Sequence, residues 1–475
     1  MQLELHTFNG FNMHIHILGI CGTFMGGIAL IAKQAGHKVT GSDQNVYPPM
    51  SDELKEAGIE IYQGYGAEQL DCKPDLIVVG NVMKRGMPVI ERMLDERFNY
   101  VSGPGFLEDL YLRSKTVLAV SGTHGKTTTS AMLTWILEYA KKNPGFLVGG
   151  IPENFGYSAR SSDSEYFVIE ADEYDCAFFD KRSKFVHYHP NIAIINNIEF
   201  DHADIFNSIE DIKKQFHQMV RIIPSSGTVI YPAHDQNVVD TIKKGLWSKP
   251  LAVGDSSCPY QLRIDKEDGS KFSILDNKGE LLCSVELKAT GLHNAHNAFM
   301  ALLAAHEVGV DFKEGAQALG KFKMPKRRME LVGEIGNIKV YDDFAHHPTA
   351  IATTIEGLRK SVGADKHIIC VFEPRSNSMK MGANSELLGA SFKDADEVFV
   401  YQNEAVSWDM SILVRDCPKP LTIVDTNTAN LIDQVVAAAT AAATKDNTYI
   451  IVMSNGGFEN VKGRLVEALK QAKNL

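Results

Sequence analysis

Short apolar, β-rich runs alternate with helix-like stretches along the whole chain, which predicts an α/β protein with parallel sheets covered on both faces. The 475 residues exceed the size at which one core keeps growing, so several domains are expected. Inside "LAVSGTHGKTTTSAML" (118–133), a turn of glycines and small polar residues joins an apolar strand to a helix, as phosphate-binding turns do. These observations predict three domains: a Rossmann-like domain over 1–112, a central P-loop ATPase-like domain over 113–325 and a C-terminal Rossmann-like α/β domain over 326–475.

The first domain is predicted from the strand-like "HIHILG", the turn "ICGTFMGG", the helix-like "IALIAKQAG" and the further strands "HKVTGSD" and "DLIVVG". The leader "MQLELHTFNGFN" lacks the basic and apolar regions of a signal peptide, and "MHIHILG" reads as the natural start. "SGPGFLEDLYLRSK" reads as the crossover into the central domain, which begins with the strand "TVLAV". Two more strands end in acids, "YFVIEADEYD" and "NIAIINNIEFDHADIF", followed by a helix near 209–221. Residues 259–288 read as β-hairpins turning at "LDNKGELL", then comes the apolar helix "GLHNAHNAFMALLAAHEVGV" and a basic connector, "KFKMPKRRME". The third domain, from near Leu331, reads as "IKVYDDFAHHP", a helix, "HIICVFEPR", "EVFVY", an alanine-rich helix over 435–443, "YIIVMSNGG" and a final helix.

Composition narrows the partners. Apolar residues at 44% and charged residues at 23% are ordinary for a globular protein, and a net charge of −11 argues against nucleic acid and anionic membranes as partners. Seven scattered cysteines, none in a CxxC pair, argue against a disulfide framework or a structural zinc site and fit a reducing cytoplasm. No apolar run reaches membrane-spanning length.

In the phosphate turn, backbone N–H groups at the helix start are unpaired and carry the positive end of the helix dipole. Gly122 and Gly125 let an anion approach, Lys126 reaches the terminal phosphates, and the Thr127 hydroxyl can bind Mg²⁺. Val120 stands where the general P-loop has its first glycine, so the loop is a shortened variant. Mg²⁺ wants oxygen ligands, and the strand ends supply Glu170, Asp172, Glu173 and Asp175, then Glu199, Asp201, His202 and Asp204.

"GTHGKTTT", "EADEYD", "NNIEFDHADIF", "GLHNAHNA" and "YDDFAHHPTA", in this order, resemble the ATP-dependent Mur ligases of peptidoglycan synthesis over nearly the whole chain from His14. "GNVMKRGMPVIE", "EYDCAFFDKRSKFVHYHP" and "EPRSNSMK" are similar to the member that joins the tripeptide L-alanyl-γ-D-glutamyl-meso-diaminopimelate to UDP-N-acetylmuramate, rather than to the L-alanine-adding relative. The resemblance implies ATP and two Mg²⁺ ions, an acyl-phosphate route and a place in cell-wall recycling. Rival readings are the L-alanine-adding ligase, a P-loop ATPase that makes no amide, and a nicotinamide dehydrogenase. The last is disfavoured because Cys21 stands where the dinucleotide fingerprint has its second glycine.

The resemblance also assigns residues. The UDP sugar falls to Gly19, Gly22, Thr23, Phe24, Met25 and Asp43, with the N–H groups of residues 22–25 at the diphosphate. ATP falls to Gly122, Thr123, His124, Gly125, Lys126, Thr127 and Thr128, to His293, Asn294 and Asn297 at the adenine, to Arg327 or Arg328 at phosphate, and to Asp343 near the ribose. Thr127 and Glu170 would ligate one metal and His202 a second; Lys126, His202 and Asp343 are the expected catalytic residues. Arg375, with Ser376, Asn377 and the N–H groups of "SNGGFEN", would bind the peptide, while His346 and His347 are expected to be structural or to stand just behind the residues that touch ligand. Other members use a carbamylated lysine. Counting from His202 places His217 at that helix position, with Lys213 and Lys214 a turn earlier, so none is expected here. Residues 324–328 are the expected hinge for closure of the third domain.

Overall fold

Three parallel-rich sheets carry the chain in the computed structural model, which describes residues 12–46, 50–254, 256–425, 427–443 and 447–473. The reading of the leader falls almost wholly on residues 1–11, outside the described residues. The first sheet is fully parallel, in the order Glu60–Gln63, Lys38–Asp43, His14–Leu18, Leu76–Val79, Tyr100–Ser102. Its central strands are nearly all buried because helices cover both faces, as parallel sheets require. The turn after His14–Leu18 leads into the helix Thr23–Gln34, whose open N-terminus faces the carboxyl ends of the strands.

The second sheet runs Lys249–Val253, Thr228–Pro232, Ile192–Ile195, Thr116–Ser121, Tyr166–Glu170, Gly145–Leu147, with Ala159–Arg160 antiparallel at the edge. Val120 pairs with both Ile194 and Glu170, so the phosphate turn and both acid-tipped strands end side by side. A small antiparallel sheet (Tyr260–Ile264, Lys271–Asp276, Leu281–Glu286) packs against the helices Leu292–Glu307 and Phe312–Gly320. The third sheet runs Glu330–Ile335, Ile338–Asp343, Thr448–Met453, His367–Phe372, Glu397–Tyr401, Leu421–Val424, and only its first strand is antiparallel.

Two expectations need correction. Glu330–Ile335 is a separate edge strand, which its half-exposed pattern and Gly333 hide from periodicity. The alanine-rich helix is Thr428–Ala443, beginning well before 435, because its first turns carry polar residues on the solvent side.

Packing joins the domains unequally. One continuous apolar cluster runs from Ile15, Ile28 and Phe106 into Leu147, Phe167, Tyr188 and Phe216, so the first and second sheets share a core. The two apolar clusters of the third sheet contain residues of that domain only. The first two domains are also tied by charge: His187 Nδ1 lies 2.9 Å from Glu108 Oε2, its Nε2 lies 2.8 Å from Asp180 Oδ2, and His189 Nε2 lies 2.8 Å from Glu108 Oε1. Burial pushes the Glu108 carboxyl up, but the His187 and His189 bonds outweigh it and hold the group down to about 2.

Two outcomes are expected. A methyl group on Gly41 would lie 2.4 Å from Ile20 Cδ1 and 2.7 Å from the Ile17 carbonyl oxygen. Gly41→Ala should therefore cost about 1–3 kcal/mol, read as a lower urea midpoint at unchanged m-value. Glu108 is depressed below its unfolded value, so it stabilises above the ordinary carboxylate range, and this is lost as pH falls towards about 2. Glu108→Gln should destabilise at neutral pH, and its gap to the parent should close on acidification; a gap independent of pH would contradict the pairing.

Candidate functional site

Gly125 sits at φ 81°, the left-handed region, where it caps the helix Lys126–Tyr139 without a side chain. A methyl group there would lie 2.5 Å from Asn297 Oδ1, so the turn needs glycine for space as well as conformation. The loop is pinned from the neighbouring strand end: His124 N–H donates to Asn197 Oδ1 (2.8 Å), Asn196 Nδ2 to Thr129 Oγ1 (3.0 Å), and Thr123 N–H to the Asn197 carbonyl (3.1 Å). Lys126 folds back to donate to the Gly122 carbonyl at 2.8 Å and to Glu173 Oε2 at 3.2 Å. Burial disfavours its charge, but Glu173, Asp172 and Glu170 outweigh burial and raise the ammonium's pKa.

Around that lysine lies an oxygen-rich set. Thr127 Oγ1 donates to Glu170 Oε1 at 3.1 Å, and Gly149 N–H to Glu170 Oε2 at 2.7 Å. Burial pushes the Glu170 carboxyl up. Donor atoms of Asp172, Glu173 and His202 lie within 4.8 Å of one another, with His202 Nε2 3.3 Å from Glu173 Oε1. His202 holds φ 56°, a strained conformation for a side chain of this size. Three carboxylates, a hydroxyl and an imidazole suit a hard divalent cation such as Mg²⁺.

Three cavities hold residues singled out from the sequence. The largest, about 570 Å³, is lined by Thr123 to Thr127, Glu170, Asp172, Tyr174, His202, Arg328, His346, His347 and the C-terminal Arg375, Ser376 and Asn377. A smaller one, about 160 Å³, is lined by Thr128, His293, Asn294, Asn297, Met324, Arg328 and Asp343. Among the described residues the buried Nδ1 of His293 has no hydrogen-bond partner, and burial lowers the imidazole pKa to about 4, which leaves an acceptor or donor for a ligand. The third, about 490 Å³, is lined by Gly19, Gly22, Thr23, Phe24, Met25 and Asp43. Asp43 also fastens the turn, accepting from Cys21 N–H and Asn45 N–H at 2.9 Å each.

The third domain reaches this site through polar ties. Thr349 Oγ1 donates to Glu199 Oε2 (2.7 Å), Asn377 Nδ2 to Asp204 Oδ2 (2.8 Å), and Ala203 N–H to Ser378 Oγ (3.1 Å). The rings of His124 and His347 stand 4.6 Å apart. Arg375 packs against Gly456, where a methyl group would meet its Nε at 2.0 Å, and its Nη1 is 3.5 Å from Glu373 Oε1.

Three family models match the chain in succession: the Mur ligase family catalytic domain over residues 14–115, the Mur ligase middle domain over 120–305 and the Mur ligase glutamate ligase domain over 327–456. The chain is 50% identical over 96% of its length to the UDP-N-acetylmuramate–L-alanyl-γ-D-glutamyl-meso-2,6-diaminoheptandioate ligase of Haemophilus influenzae, 99% of which is covered. The chain belongs to the Mur ligase family. This Mur ligase is also 32% identical, over 82% of its length and 83% of the relative's, to the UDP-N-acetylmuramate–L-alanine ligase of Clostridium acetobutylicum. The crystal structure of a murein peptide ligase from Psychrobacter arcticus superposes with a TM-score of 0.74 at 45% identity, covering 96% of this chain and 99% of that one. Mur ligases use ATP and Mg²⁺, and the residues around Lys126 fit both. Among the described residues no helix is long and apolar enough to cross a membrane.

Several expectations shift within this Mur ligase. Arg327 donates from Nη2 to the carbonyls of Ser454 and Gly456 and lines neither nucleotide-side cavity; Arg328 lines both. Asp343, expected near the ribose, accepts from Met329 N–H and Ala345 N–H and lines the small cavity. His346 and His347, expected to be structural or just behind the residues that touch ligand, line the main cavity. His217 packs on Trp247 with Nε2 3.1 Å from the Gly245 carbonyl, and Lys213 pairs with Glu210 and Asp240, while Lys214 lines a separate cavity beside Glu173. Asn196 and Asn197 received no role from sequence, although a polar pair directly after "NIAII" is a visible signal. Lys126→Ala should lower turnover roughly 100- to 1,000-fold while leaving UDP-sugar binding intact; retained turnover would contradict its phosphate role.

Proposed function

We propose that this Mur ligase joins L-alanyl-γ-D-glutamyl-meso-diaminopimelate to UDP-N-acetylmuramate, with ATP converted to ADP and phosphate, in the cytoplasm. One observation carries the reading: Lys126 of the phosphate loop, Glu170, Asp172 and His202 beside it, and Arg375 of the third domain all line a single cavity. Triphosphate chemistry and a carboxylate-recognising guanidinium therefore face the same space. The greater identity to the tripeptide-adding relative than to the L-alanine-adding one supports this acceptor.

In the proposed reaction the lactyl carboxylate attacks the γ-phosphorus, ADP leaves, and an acyl phosphate forms. The tripeptide's amine attacks the acyl carbon, and phosphate departs from the tetrahedral intermediate. Both first reactants are anions, so Lys126, Arg328 and the N–H groups of residues 125–127 hold the triphosphate against its own charge. Two Mg²⁺ ions, one held by Thr127 and Glu170 and one by His202, would supply further charge neutralisation when bound. Alignment of the reactants contributes up to about 7–11 kcal/mol, and no protein nucleophile is needed. Residues 1–112 would serve the UDP sugar, 113–325 the ATP, and 326–475 the peptide, with 324–328 as hinge.

ADP release should require UDP-N-acetylmuramate and the tripeptide together. Turnover with L-alanine alone would favour the L-alanine-adding reading, and ATP hydrolysis without either co-substrate would favour a plain ATPase. Arg375→Ala should raise the tripeptide's KM at least tenfold more than that of ATP, roughly the loss of one charge-assisted contact; equal effects would remove Arg375 from peptide recognition.

A further inference from the structure

Three residues line both the cavity at the Thr23–Gln34 helix start and the cavity at Lys126: Thr23, Phe24 and Lys184. Only Lys184 of these carries a charge. Its side chain is 11% exposed, and its Nζ lies 2.8 Å from Asp172 Oδ2. The ammonium also stands over two ring faces, 5.1 Å from the Phe24 centroid and 5.8 Å from that of Tyr174. Its backbone N–H donates to the Tyr174 carbonyl at 2.9 Å, and the next residue, Phe185, is fully buried, so the stem is anchored. An ammonium has three donors, and among the described residues Asp172 is the one hydrogen-bond partner of this Nζ, which leaves two for a ligand.

The chemistry of the crossing asks for such a group. On the ligase reading, on which this inference rests, the UDP sugar keeps its diphosphate at the helix N-terminus and must present its carboxylate to a triphosphate held by Lys126. Two anions are brought together at that boundary, where a fixed cation is worth most. We propose that Lys184 binds the sugar-borne carboxylate at the crossing between the two cavities, and so selects a UDP sugar that carries an acid. Asp172 and the two rings hold the ammonium in place before the substrate arrives.

Calorimetric titration of UDP, UDP-N-acetylglucosamine and UDP-N-acetylmuramate into the full chain and its Lys184→Met and Lys184→Arg variants tests this. UDP-N-acetylglucosamine lacks the lactyl acid, so the parent chain should prefer UDP-N-acetylmuramate. In Lys184→Met that preference should shrink roughly ten- to hundredfold, the range for one lost charge-assisted bond, while UDP and UDP-N-acetylglucosamine bind as before. Lys184→Arg should recover part of it. Retained UDP affinity also reports that the variant is folded. An equal loss for all three ligands would overturn the proposal by placing Lys184 on the diphosphate, and an unchanged preference would reduce it to an ion pair with Asp172. A parent chain that bound no UDP sugar would overturn the ligase reading itself.

Discussion

The buried ammonium of Lys126, ringed by Glu170, Asp172 and Glu173, is the interaction on which the rest of the site depends. Neither side is tolerable alone: three carboxylates with no cation, or a lysine with no anion, would each leave uncompensated charge out of water. The register of the second sheet makes them meet. Val120 lies opposite Glu170, so the glycine turn after one strand and the acids after its neighbour emerge at the same height. Every other feature of the site, from the asparagines behind the loop to the strained His202, keeps this group in place or borders it.

The same arrangement explains why the acids keep different states. Asp172 and Glu173 face lysines and His202 directly and are held below the usual carboxylate range against burial. Glu170 meets weaker compensation, and burial wins, raising it. A triphosphate brought to this loop meets the carboxylates that already hold Lys126. Positive charge from a bound cation offsets that repulsion, which accords with the family's use of Mg²⁺.

Much of this was legible in the sequence where local chemistry and local structure coincide. "GTHGKTTT" needs its glycines for the turn and its lysine for the phosphate, and both appear within a few residues. Strands with nearly continuous apolar residues, such as 116–121 and 192–195, declared themselves because burial on both faces leaves no alternation to misread. The short strands Gly145–Leu147 and Ala159–Arg160 are below the length at which periodicity speaks. The choice between Arg327 and Arg328 was hidden for another reason: adjacent side chains leave the backbone in different directions, and only tertiary contacts settle which one enters a cavity. Lys184 was hidden because its importance lies in bordering two cavities, a property of assembled domains rather than of "KRSK".

The unequal packing of the three sheets has a thermodynamic consequence. Because one apolar core spans the first two domains, they should respond to heat as a single cooperative body. The third, whose apolar clusters are its own, is fastened to that body by a handful of hydroxyl, amide and imidazole contacts. Such contacts exchange readily with water, so this last portion can melt, or swing, on its own schedule without disturbing the rest.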